Sequence, residues 1–468
     1  MMTRVLLINP PSLERLDTPL LSLHYVAAAL LAWGCEVRVI DAAARHFIHD
    51  SDWILSEAGR FSPEIVAFGL YTRGVQKSYR LAERFAGRFP LLVAGGPHAS
   101  ARPDEPLCRG FDMVVLGEAE ESMVEVVDWI KGRRQIESIS GVRYRDPDGR
   151  PRGDATPRCV RDLDALPLTA TARQLFDPRN YGFQEISPIP GSILTSRGCP
   201  GCCIHCTQQV GRRPFGYRSA AGVISEMRAH HERTGGTFFH FLDDALTANM
   251  FRVHELTEAM RRDLSFEPVW IATTRVDLVS PELLRDMKGA GLTAIDFGVE
   301  SGDDETLTMV KKGFKAEQAY NALEWAKAEG LETVCNFMTG FPGESARALE
   351  RTLRFMERIA SLVDSFGILG VVVPYPGTPL YENYHLHYGF TEWWLREDCG
   401  RYEPAPPIEE FDRFNRWYID DPALTMDFFR YDEETRSLIR ACLRFKAEHN
   451  LRRMGLLPGQ PVSPELAG

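Results

Sequence analysis

The sequence lacks the features that would place the protein in a membrane or in an oxidising compartment. It has no run of 18 apolar residues, and its opening stretch, MMTRVLLINPP, lacks the apolar core of a signal peptide. Its 10 cysteines do not form a disulfide framework, because they combine one tight cluster with widely scattered positions. We therefore expect a cytoplasmic protein that has no membrane partner.

The sequence also has fewer basic residues than acidic residues. Lys and Arg total 54 against 65 Asp and Glu, which gives a net charge of −11. A nucleic-acid-binding surface needs a basic patch, so nucleic acid is not an expected partner. The sequence contains no internal repeat and no low-complexity tract. The apolar fraction of 44% and the length of 468 residues suffice for two or three domains with sizeable cores.

Cysteine is concentrated in one stretch, Cys199-Pro-Gly-Cys202-Cys203-Ile-His-Cys206, which follows a short apolar run typical of a buried strand. Three of these cysteines have the spacing C-x3-C-x2-C. Iron–sulfur clusters are held by cysteine thiolates, and a four-iron cluster normally takes four of them. Three protein ligands, Cys199, Cys203 and Cys206, would leave one iron open to a small molecule.

Structural zinc and buried free thiols are the alternatives for this stretch. Structural zinc usually takes four ligands in paired C-x2-C units, and the sequence offers neither a second pair nor a nearby H-x3-5-H. Buried free thiols are not expected among glycine and proline. Cys202 breaks the spacing, and we interpret it as a spare cysteine.

The first part of the chain alternates apolar strands with helical segments. Strands are predicted at 4–9, 35–40, 65–70, 91–94 and 112–116, which indicates a doubly wound, Rossmann-like α/β domain. Ligands of such domains bind beyond the carboxyl ends of the strands. Gly95, Gly96 and Gly117 stand at those ends, where a backbone can approach a ligand closely.

The middle of the chain repeats a strand–helix pattern six times. The strands are predicted at 193–196, 237–242, 269–273, 294–298, 333–338 and 368–373. Six units are too few for a closed eight-stranded barrel, so a (β/α)6 partial barrel is predicted. Between the two domains, 140–160 has the turn residues of a β-hairpin, and 161–190 has the composition of a linker.

These motifs resemble the radical S-adenosylmethionine (SAM) superfamily, in particular the branch with an N-terminal cobalamin-binding domain. The resemblance covers roughly residues 4–385. It rests on the C-x3-C-x2-C motif and on the segments GVESG (298–302), GFPGE (340–344) and PGTPLY (376–381), together with GGPH (95–98) and GE (117–118). The chain has no Asp-x-His-x-x-Gly motif, which supplies a cobalt ligand in other cobalamin proteins, and His98 is a poor substitute.

The resemblance implies the cofactors and their contacts. It implies a [4Fe-4S] cluster on the three cysteines, SAM on the open iron, and cobalamin on the glycine-rich turns at Gly95, Gly96 and Gly117. It also implies a set of SAM contacts at the barrel strand ends: Asp243 and Asp244 at the amino group, Arg275 at the carboxylate, Glu300 at the ribose, and Gly340 beside adenine.

Some of these side chains have a structural alternative. Asp244, or Thr247, could cap the helix that follows from Met250. Arg275 could form an internal salt bridge with Asp277 instead of binding a carboxylate.

Two further residues are candidates for donating a hydrogen atom or proton, Tyr217 and Cys335, each expected near the barrel mouth. Packing is the alternative for both, because most aromatic residues and free cysteines are structural.

We predict four segments: a B12-binding-like domain at 1–135, a hairpin and linker at 136–190, a radical SAM barrel at 191–385, and an aromatic-rich helical extension at 386–468 that covers the barrel mouth. The expected function is generation of a 5′-deoxyadenosyl radical, followed by cobalamin-dependent methylation of an unactivated carbon in a small secondary metabolite such as an antibiotic intermediate. The partners implied are that substrate and a flavodoxin- or ferredoxin-type electron donor.

Two alternatives stay open. The first is a radical dehydratase, deoxygenase or rearrangement enzyme that acts on a sugar or aminoglycoside diol, with a B12-binding domain that takes no part in methyl transfer. The second is a non-catalytic iron–sulfur electron carrier.

Overall fold

The structure is a computed structural model that describes residues 2–11, 16, 18–181, 191–396 and 421–455. Part of the predicted linker (182–190) lies outside the described residues. So do Cys399, the tail after 455 and five aromatic residues of the predicted extension: Tyr402, Phe411, Phe414, Trp417 and Tyr418. Among the helices that are described, none has the length and apolar character needed to cross a membrane.

The N-terminal domain is built on a seven-stranded sheet in the order β2-β1-β3-β4-β5-β6-β7. The first five strands are parallel, and β6 and β7 form an antiparallel hairpin that extends the sheet. The strands are β1 (Arg4–Asn9), β2 (Glu36–Asp41), β3 (Ile65–Gly69), β4 (Leu91–Gly95), β5 (Met113–Val115), β6 (Val142–Arg145) and β7 (Pro151–Gly153).

Helices connect the parallel strands, as the sequence predicts. They are α1 (Leu21–Ala32), α2 (Ser51–Phe61), α3 (Val75–Phe85), α4 (Pro97–Ala101) and α5 (Ala119–Ile130). Because β2 and β3 lie on opposite sides of β1, the connections change direction there, and this is the point where doubly wound sheets bind ligands. The predicted doubly wound fold is confirmed.

The second domain is an open barrel of six parallel strands in the order β15-β14-β13-β12-β11-β8. The strands are β8 (Gly191–Ile193), β11 (Phe238–Phe241), β12 (Val269–Thr274), β13 (Leu292–Glu300), β14 (Glu332–Thr339) and β15 (Ser365–Val371). The helices around it are α6 (Ala220–Thr234), α7 (Met250–Asp263), α8 (Pro281–Gly289), α9 (Asp304–Met309), α10 (Ala316–Ala328) and α11 (Ala346–Ile359). The predicted (β/α)6 partial barrel is confirmed.

The apolar run before the cysteine cluster divides into two strands instead of one. After β8 the chain turns and forms β9 (Ser196–Arg197), which pairs antiparallel with β10 (Gly216–Tyr217). The change occurs because the backbone N–H of Thr195 donates to the carboxylate of Asp243, 3.2 Å away, and so leaves the barrel ladder. The cluster loop is therefore closed at its base by a short antiparallel pair.

Side chains on the barrel strands alternate between two environments. Phe239, Trp270 and Phe337 face the helices and are fully buried; the indole N–H of Trp270, for example, donates to the carbonyl oxygen of Ala290 at the end of α8. The alternate side chains face the lumen and remain partly exposed. Closed barrels fill their interiors with packed side chains, whereas this lumen is open.

The described part of the C-terminal extension covers the exposed edge of the barrel sheet. It comprises α12 (Pro379–Tyr388), α13 (Pro422–Met426) and α14 (Glu433–Arg453). The side-chain amide of Asn450 pairs with both the N–H and the carbonyl oxygen of Phe366 on β15, at 2.9 and 2.8 Å. This pairing satisfies edge-strand groups that would otherwise lack partners. That the extension also covers the barrel mouth stays a prediction, as do the four domain boundaries.

Candidate functional site

The three candidate cluster ligands lie in the loop between β9 and β10. The N–H of Gly201 donates to the Sγ of Cys199 at 3.3 Å, and the Nη1 of Arg275 lies 3.9 Å from the Sγ of Cys203. Hydrogen-bond donors that point at a cysteine sulfur stabilise the thiolate, which is the form that binds iron. Among the described residues, no three His, Cys, Asp or Glu side chains converge as they would around a single metal ion. The donor chemistry, three thiols at C-x3-C-x2-C spacing, fits an iron–sulfur cluster.

The cluster thiols differ in burial and in charge environment. Cys203 is buried and Cys206 is partly buried, whereas Cys202 is exposed. Burial raises the pKa of Cys206 to about 12. Burial also raises the pKa of Cys203, against the opposing effect of the cations Lys312 and Arg275. In the absence of metal both are neutral thiols, so iron binding must release their protons.

Glu300 lies at the end of β13 in a buried ion pair that the sequence did not predict. Its Oε1 lies 2.9 Å from the Nζ of Lys312 and 4.0 Å from the Nε2 of His205, which belongs to the cluster loop. Burial by itself would raise the pKa of Glu300, but Lys312 and His205 hold it below the ordinary value. Its φ of 73° is unusual for a residue other than glycine, and such conformations concentrate at functional sites.

Arg275 has the structural partner that the sequence left open as an alternative. Its guanidinium group forms a two-pronged salt bridge with Asp277, with both N···O distances at 2.9 Å. It also donates to the backbone carbonyl oxygen of Lys312 at 2.5 Å. Arg275 therefore orders the segment that carries Lys312 and brings positive charge to Cys203, while its fork is already occupied by a carboxylate.

Asp243 and Asp244 support the cluster loop. Buried Asp243 accepts hydrogen bonds from the hydroxyl groups of Thr195, at 2.7 Å, and Ser196. Asp244 accepts from the N–H of Gly198 at 3.0 Å and from the side chain of Gln208 at 2.8 Å. Contact of either carboxylate with the SAM amino group stays a prediction.

The helix-capping alternative for Asp244 or Thr247 was wrong. Asn249 caps α7 instead, because its side-chain oxygen accepts from the N–H of Arg252 at 3.2 Å.

Gly340 opens the turn at the end of β14, and its backbone groups already have partners. Its N–H donates to Glu344 at 2.6 Å, and its carbonyl oxygen accepts from the hydroxyl group of Tyr431 at 2.5 Å. Gly340 has φ of 78°, and a Cβ there would lie 2.6 Å from that hydroxyl oxygen. The turn is thus held from one side by a buried acid and from the other by the C-terminal extension.

Tyr217 and Cys335, the two donor candidates, are not brought together. Tyr217 lies on β10 and is 49% exposed, with the guanidinium carbon of Arg252 5.5 Å from its ring centroid. Cys335 lies in the middle of β14, fully buried, beside Phe297 and Phe366 on the neighbouring strands. It belongs to the core, and burial raises its pKa further above the ordinary value. This position favours the packing role for Cys335; a donor role for Tyr217 stays a prediction.

A cleft of about 390 Å³ separates the carboxyl ends of the N-terminal strands from the cluster loop. Gly95, Gly96 and Gly117 line it on one side, and Gln208 and Val210 on the other. The structure therefore brings the predicted cobalamin-binding turns and the predicted cluster loop to opposite walls of one cleft. Predominantly apolar walls with a few polar groups are typical of cofactor sites.

Two of the three cleft glycines are also required by the fold itself. Gly96 has φ of 96°, and a Cβ there would lie 2.8 Å from the carbonyl oxygen of Leu70. A Cβ on Gly117 would lie 2.3 Å from the carbonyl oxygen of Arg158. At Gly95, by contrast, a Cβ would meet nothing closer than 3.7 Å.

One wall of the cleft carries a buried ion network that sequence reasoning missed. Arg197 pairs with Glu120 at 2.6 Å and with Glu118 at 3.2 Å, and Arg213 pairs with Glu118 at 2.6 Å. Burial by itself would lower the pKa of Arg197, but Glu120 and Glu118 raise it above the ordinary value. The two glutamates belong to the N-terminal domain and the two arginines flank the cysteine cluster, so the network joins the domains. In the sequence, the one signal of this network was the position of Glu118 directly after Gly117 in the GE turn.

His98 does not face the cleft. Its Nδ1 lies 3.1 Å from the hydroxyl oxygen of Thr72 and its Nε2 lies 3.2 Å from the Oε1 of Glu105. Both ring nitrogens of fully buried His98 are therefore occupied, and Trp394 joins this network through a hydrogen bond to Glu105 at 3.1 Å. The structure gives His98 a structural role rather than that of a cobalt ligand.

Comparison with known families assigns both domains. Residues 193–356 match the radical SAM superfamily model, and residues 15–127 match the B12-binding domain model. The resemblance inferred from the sequence motifs is confirmed, and with it the [4Fe-4S] cluster, SAM and cobalamin as the cofactors.

Three proteins that are similar to this chain have different names. An uncharacterised methyltransferase of Pyrococcus horikoshii is 28% identical over 392 residues, covering 81% of this chain and 82% of the relative. The cytidylyl-2-hydroxyethylphosphonate methyltransferase of Streptomyces wedmorensis is 26% identical, covering 78% of each chain. An anaerobic magnesium-protoporphyrin IX monomethyl ester cyclase of Rubrivivax gelatinosus is 27% identical, covering 70% of this chain and 60% of the relative.

Two solved structures share the fold. The radical SAM methyltransferase TsrM from Kitasatospora setae, with cobalamin and a [4Fe-4S] cluster bound, has a TM-score of 0.66 at 19% identity and covers 83% of this chain and 79% of its own. The cobalamin-dependent SAM radical enzyme OxsB, with aqua-cobalamin and SAM bound, has a TM-score of 0.72 at 14% identity and covers 98% of this chain and 82% of its own. At these identities the likeness concerns the fold alone.

Proposed function

Because the chain belongs to the radical SAM enzymes that carry an N-terminal B12-binding domain, we propose that it methylates an unactivated carbon of a small-molecule substrate. The observation that carries this proposal is the cleft between the two domains. It has the glycine-rich turns of the B12-binding domain on one wall and the cluster loop on the other. A group held on the N-terminal turns would therefore lie next to the loop that carries the three cysteines.

The chain's own residues have three tasks in this proposal. When bound, the cluster and SAM supply a 5′-deoxyadenosyl radical, and cobalamin supplies a transferable methyl group. Cys199, Cys203 and Cys206 hold the cluster, and Asp243 and Asp244 fix the shape of their loop from below.

The second task is to bind SAM. Lys312 is buried beside Cys203 and is paired with Glu300 at 2.9 Å, whereas Arg275 is occupied by Asp277. We assign the SAM carboxylate to Lys312 rather than to Arg275, and the ribose to Glu300. The ammonium group of Lys312 has three N–H donors, so it can donate to a SAM carboxylate while it stays paired with Glu300.

The third task is to hold the two domains at a constant separation. The pairs of Arg197 with Glu118 and Glu120 cross the cleft wall and are almost fully buried. Buried ion pairs with good geometry fix orientation more than they add stability. This role suits an enzyme in which two cofactors must face each other.

One observation favours a second candidate function. The relatives include magnesium-protoporphyrin IX monomethyl ester cyclases, whose names describe ring closure rather than methyl transfer. The competing proposal is a radical elimination, rearrangement or cyclisation in which the B12-binding domain does not deliver a methyl group. The electron-carrier alternative is excluded, since the chain is a radical SAM enzyme.

One experiment separates the two candidates. The protein is reconstituted anaerobically with iron and sulfide, loaded with hydroxocobalamin, and incubated with SAM, a reductant and candidate substrates. Methylation predicts both S-adenosylhomocysteine and 5′-deoxyadenosine together with a product one methyl group heavier. Formation of 5′-deoxyadenosine alone, with a product of unchanged or reduced mass and no need for corrin, would establish the second function instead.

A further inference from the structure

One carboxylate in the barrel lumen has no role in the site described above. Asp296 lies on β13, four residues before Glu300, and its side chain belongs to the partly exposed set that faces the lumen. The side-chain amide of Asn336 on β14 donates to its Oδ1 at 2.5 Å. Among the described residues this is the only hydrogen bond to the side chain of Asp296, so Oδ2 is left for a ligand.

Asp296 also has no cation to balance its charge. Glu300, the neighbouring acid, has Lys312 as its partner, whereas no basic side chain among the described residues pairs with Asp296. The other charge that acts on it is that of Glu300, which is repulsive. A half-buried carboxylate without a cation is costly, and a positively charged ligand would remove that cost.

Two glycines stand next to this pair on the lumen wall. Gly298 separates Asp296 from Glu300 on the lumen face, and a Cβ at this position would lie 3.1 Å from the Nζ of Lys312 and 3.3 Å from the Oε1 of Glu300. On β15, a Cβ at Gly367 would lie 2.5 Å from the Oδ1 of Asn336. The absence of side chains at Gly298 and Gly367 therefore lets the Lys312–Glu300 pair and the side chain of Asn336 approach the wall closely.

The neighbouring side chains of the lumen are polar but uncharged or weakly basic. Thr273 on β12 stands beside Asp296 in the register, and partly exposed His240 lies on β11. Burial lowers the pKa of His240, so it is neutral near pH 7 and does not supply the missing cation. Asp296 is therefore the charged group that dominates this level of the lumen.

We propose that Asp296 and Asn336 form a substrate subsite that binds an ammonium group of the small molecule on which this enzyme acts. This inference rests on the proposed function in one respect, namely that the substrate is a small molecule bound in the barrel. It deepens that function by naming the substrate class as primary or secondary amines. Asn336 orients the carboxylate through Oδ1, and Oδ2 accepts the substrate N–H.

The test compares two ring compounds of the same size, 1,4-diaminocyclohexane and cyclohexane-1,4-diol. Their binding to the cluster-loaded, corrin-loaded enzyme is measured anaerobically by calorimetry in the presence of SAM. We expect the diamine to bind at least tenfold more tightly than the diol, because hydrogen bonds between charged groups are stronger than those between neutral groups. Equal binding of the two compounds, or no binding of the diamine, overturns the proposal.

Two substitutions at Asp296 test whether this residue causes the preference for the diamine. Asp296→Asn should weaken diamine binding at least tenfold while leaving the diol and SAM unaffected, and Asp296→Glu should keep the preference for the diamine. Glu332→Gln is the matched control, since it removes the same charge from the exposed first residue of β14. If Asp296→Asn weakens SAM binding instead, Asp296 serves the cofactor and the proposal is wrong.

The result is independent of the reaction catalysed. Calorimetry requires no turnover, so the subsite can fail while methyl transfer is observed. Conversely, methyl transfer can fail while the amine preference is observed.

Discussion

Arg197 and Glu120 form an ion pair between the two domains, with 2.6 Å between Nη2 and Oε1. The arginine ends β9, immediately before the cysteine cluster, and the glutamate lies in the first turn of α5 in the B12-binding domain. Glu120 is only 4% exposed, and its second oxygen has no partner among the described residues. The pair therefore couples the position of the cluster loop to that of the glycine-rich turns for which we propose corrin binding.

Replacing Arg197 with Ala should weaken the association between the two domains. The change leaves Glu118 and Glu120 without Arg197, and breaking a buried pair costs about 3 to 5 kcal/mol. We expect a lower thermal unfolding midpoint of the anaerobic protein and a reduced corrin content. Arg212→Ala, in the exposed part of the same loop, is the control and should change neither. A wild-type midpoint and corrin content in the Arg197 variant would contradict the proposed link.

Two adjacent cysteines should respond in opposite ways to serine substitution. Cys203→Ser should abolish the cluster, because it removes a buried ligand from a set of three. Cys202→Ser should retain it, since that thiol is exposed and lies outside the spacing. Iron and sulfide content, with the electron paramagnetic resonance spectrum after reduction and SAM addition, distinguishes them. Equal cluster loss in both variants would show that Cys202 is a ligand.

Lys312→Gln should weaken SAM binding at least tenfold, which corresponds to about 1.4 kcal/mol. The reason is that the buried ammonium group next to Cys203 is removed while Arg275 remains occupied by Asp277. Titration of SAM against the cluster spectrum provides the measurement, and the iron content confirms that the cluster is present. Lys311→Gln changes the exposed neighbouring lysine and should bind SAM normally. Unchanged SAM affinity in Lys312→Gln would return the carboxylate to Arg275.

Substitutions at two neighbouring glycines should distinguish a requirement of the fold from a requirement of corrin binding. Gly96→Ala should lower the unfolding midpoint of the corrin-free protein, because its Cβ would lie 2.8 Å from a backbone oxygen at a φ of 96°. Gly95→Ala should leave that midpoint unchanged, since its Cβ would meet only an ordinary contact at 3.7 Å. Its effect should appear in corrin binding, measured by absorbance after gel filtration. Normal corrin binding by Gly95→Ala would remove Gly95 from the site.

Glu344 should make stability depend on pH. Burial raises the pKa of Glu344 to about 7, despite hydrogen bonds from the N–H groups of Gly340 and Phe341. Between the unfolded pKa and this value the folded state binds more protons, so stability falls as pH rises through that window, by up to roughly 3 kcal/mol. Glu344→Gln should abolish this part of the loss between pH 5 and pH 8 in thermal unfolding, whereas Glu350→Gln on the exposed face of α11 should not. An identical pH profile in wild type and Glu344→Gln would contradict the shifted pKa.

Several residues show why prediction from the sequence was partial. The doubly wound sheet and the partial barrel were predicted correctly because their strands depend on neighbours in the chain, namely apolar runs and glycine turns; the three cluster ligands, inferred from cysteine spacing, stay a prediction. The predicted strand at 193–196 was wrong because Asp243, far along the chain, takes a backbone donor of Thr195. Arg275 had two possible partners in the sequence; the structure shows the salt bridge with Asp277, and the Lys312→Gln titration tests the SAM carboxylate.

The sequence by itself determined the two domains, their order and the C-x3-C-x2-C spacing of the three candidate cluster ligands, since local pattern and motif spacing suffice for these. Only the tertiary structure decided which polar side chains meet: Arg197 with Glu120 and Lys312 with Glu300 as ion pairs, and Asp296 with Asn336 as a hydrogen bond. The physical reason is that charge pairing depends on distance in space, and burial strengthens each pair in a way that separation along the chain does not reveal. The cleft and the open lumen arise in the same way, from surfaces that become walls only when the strands are side by side.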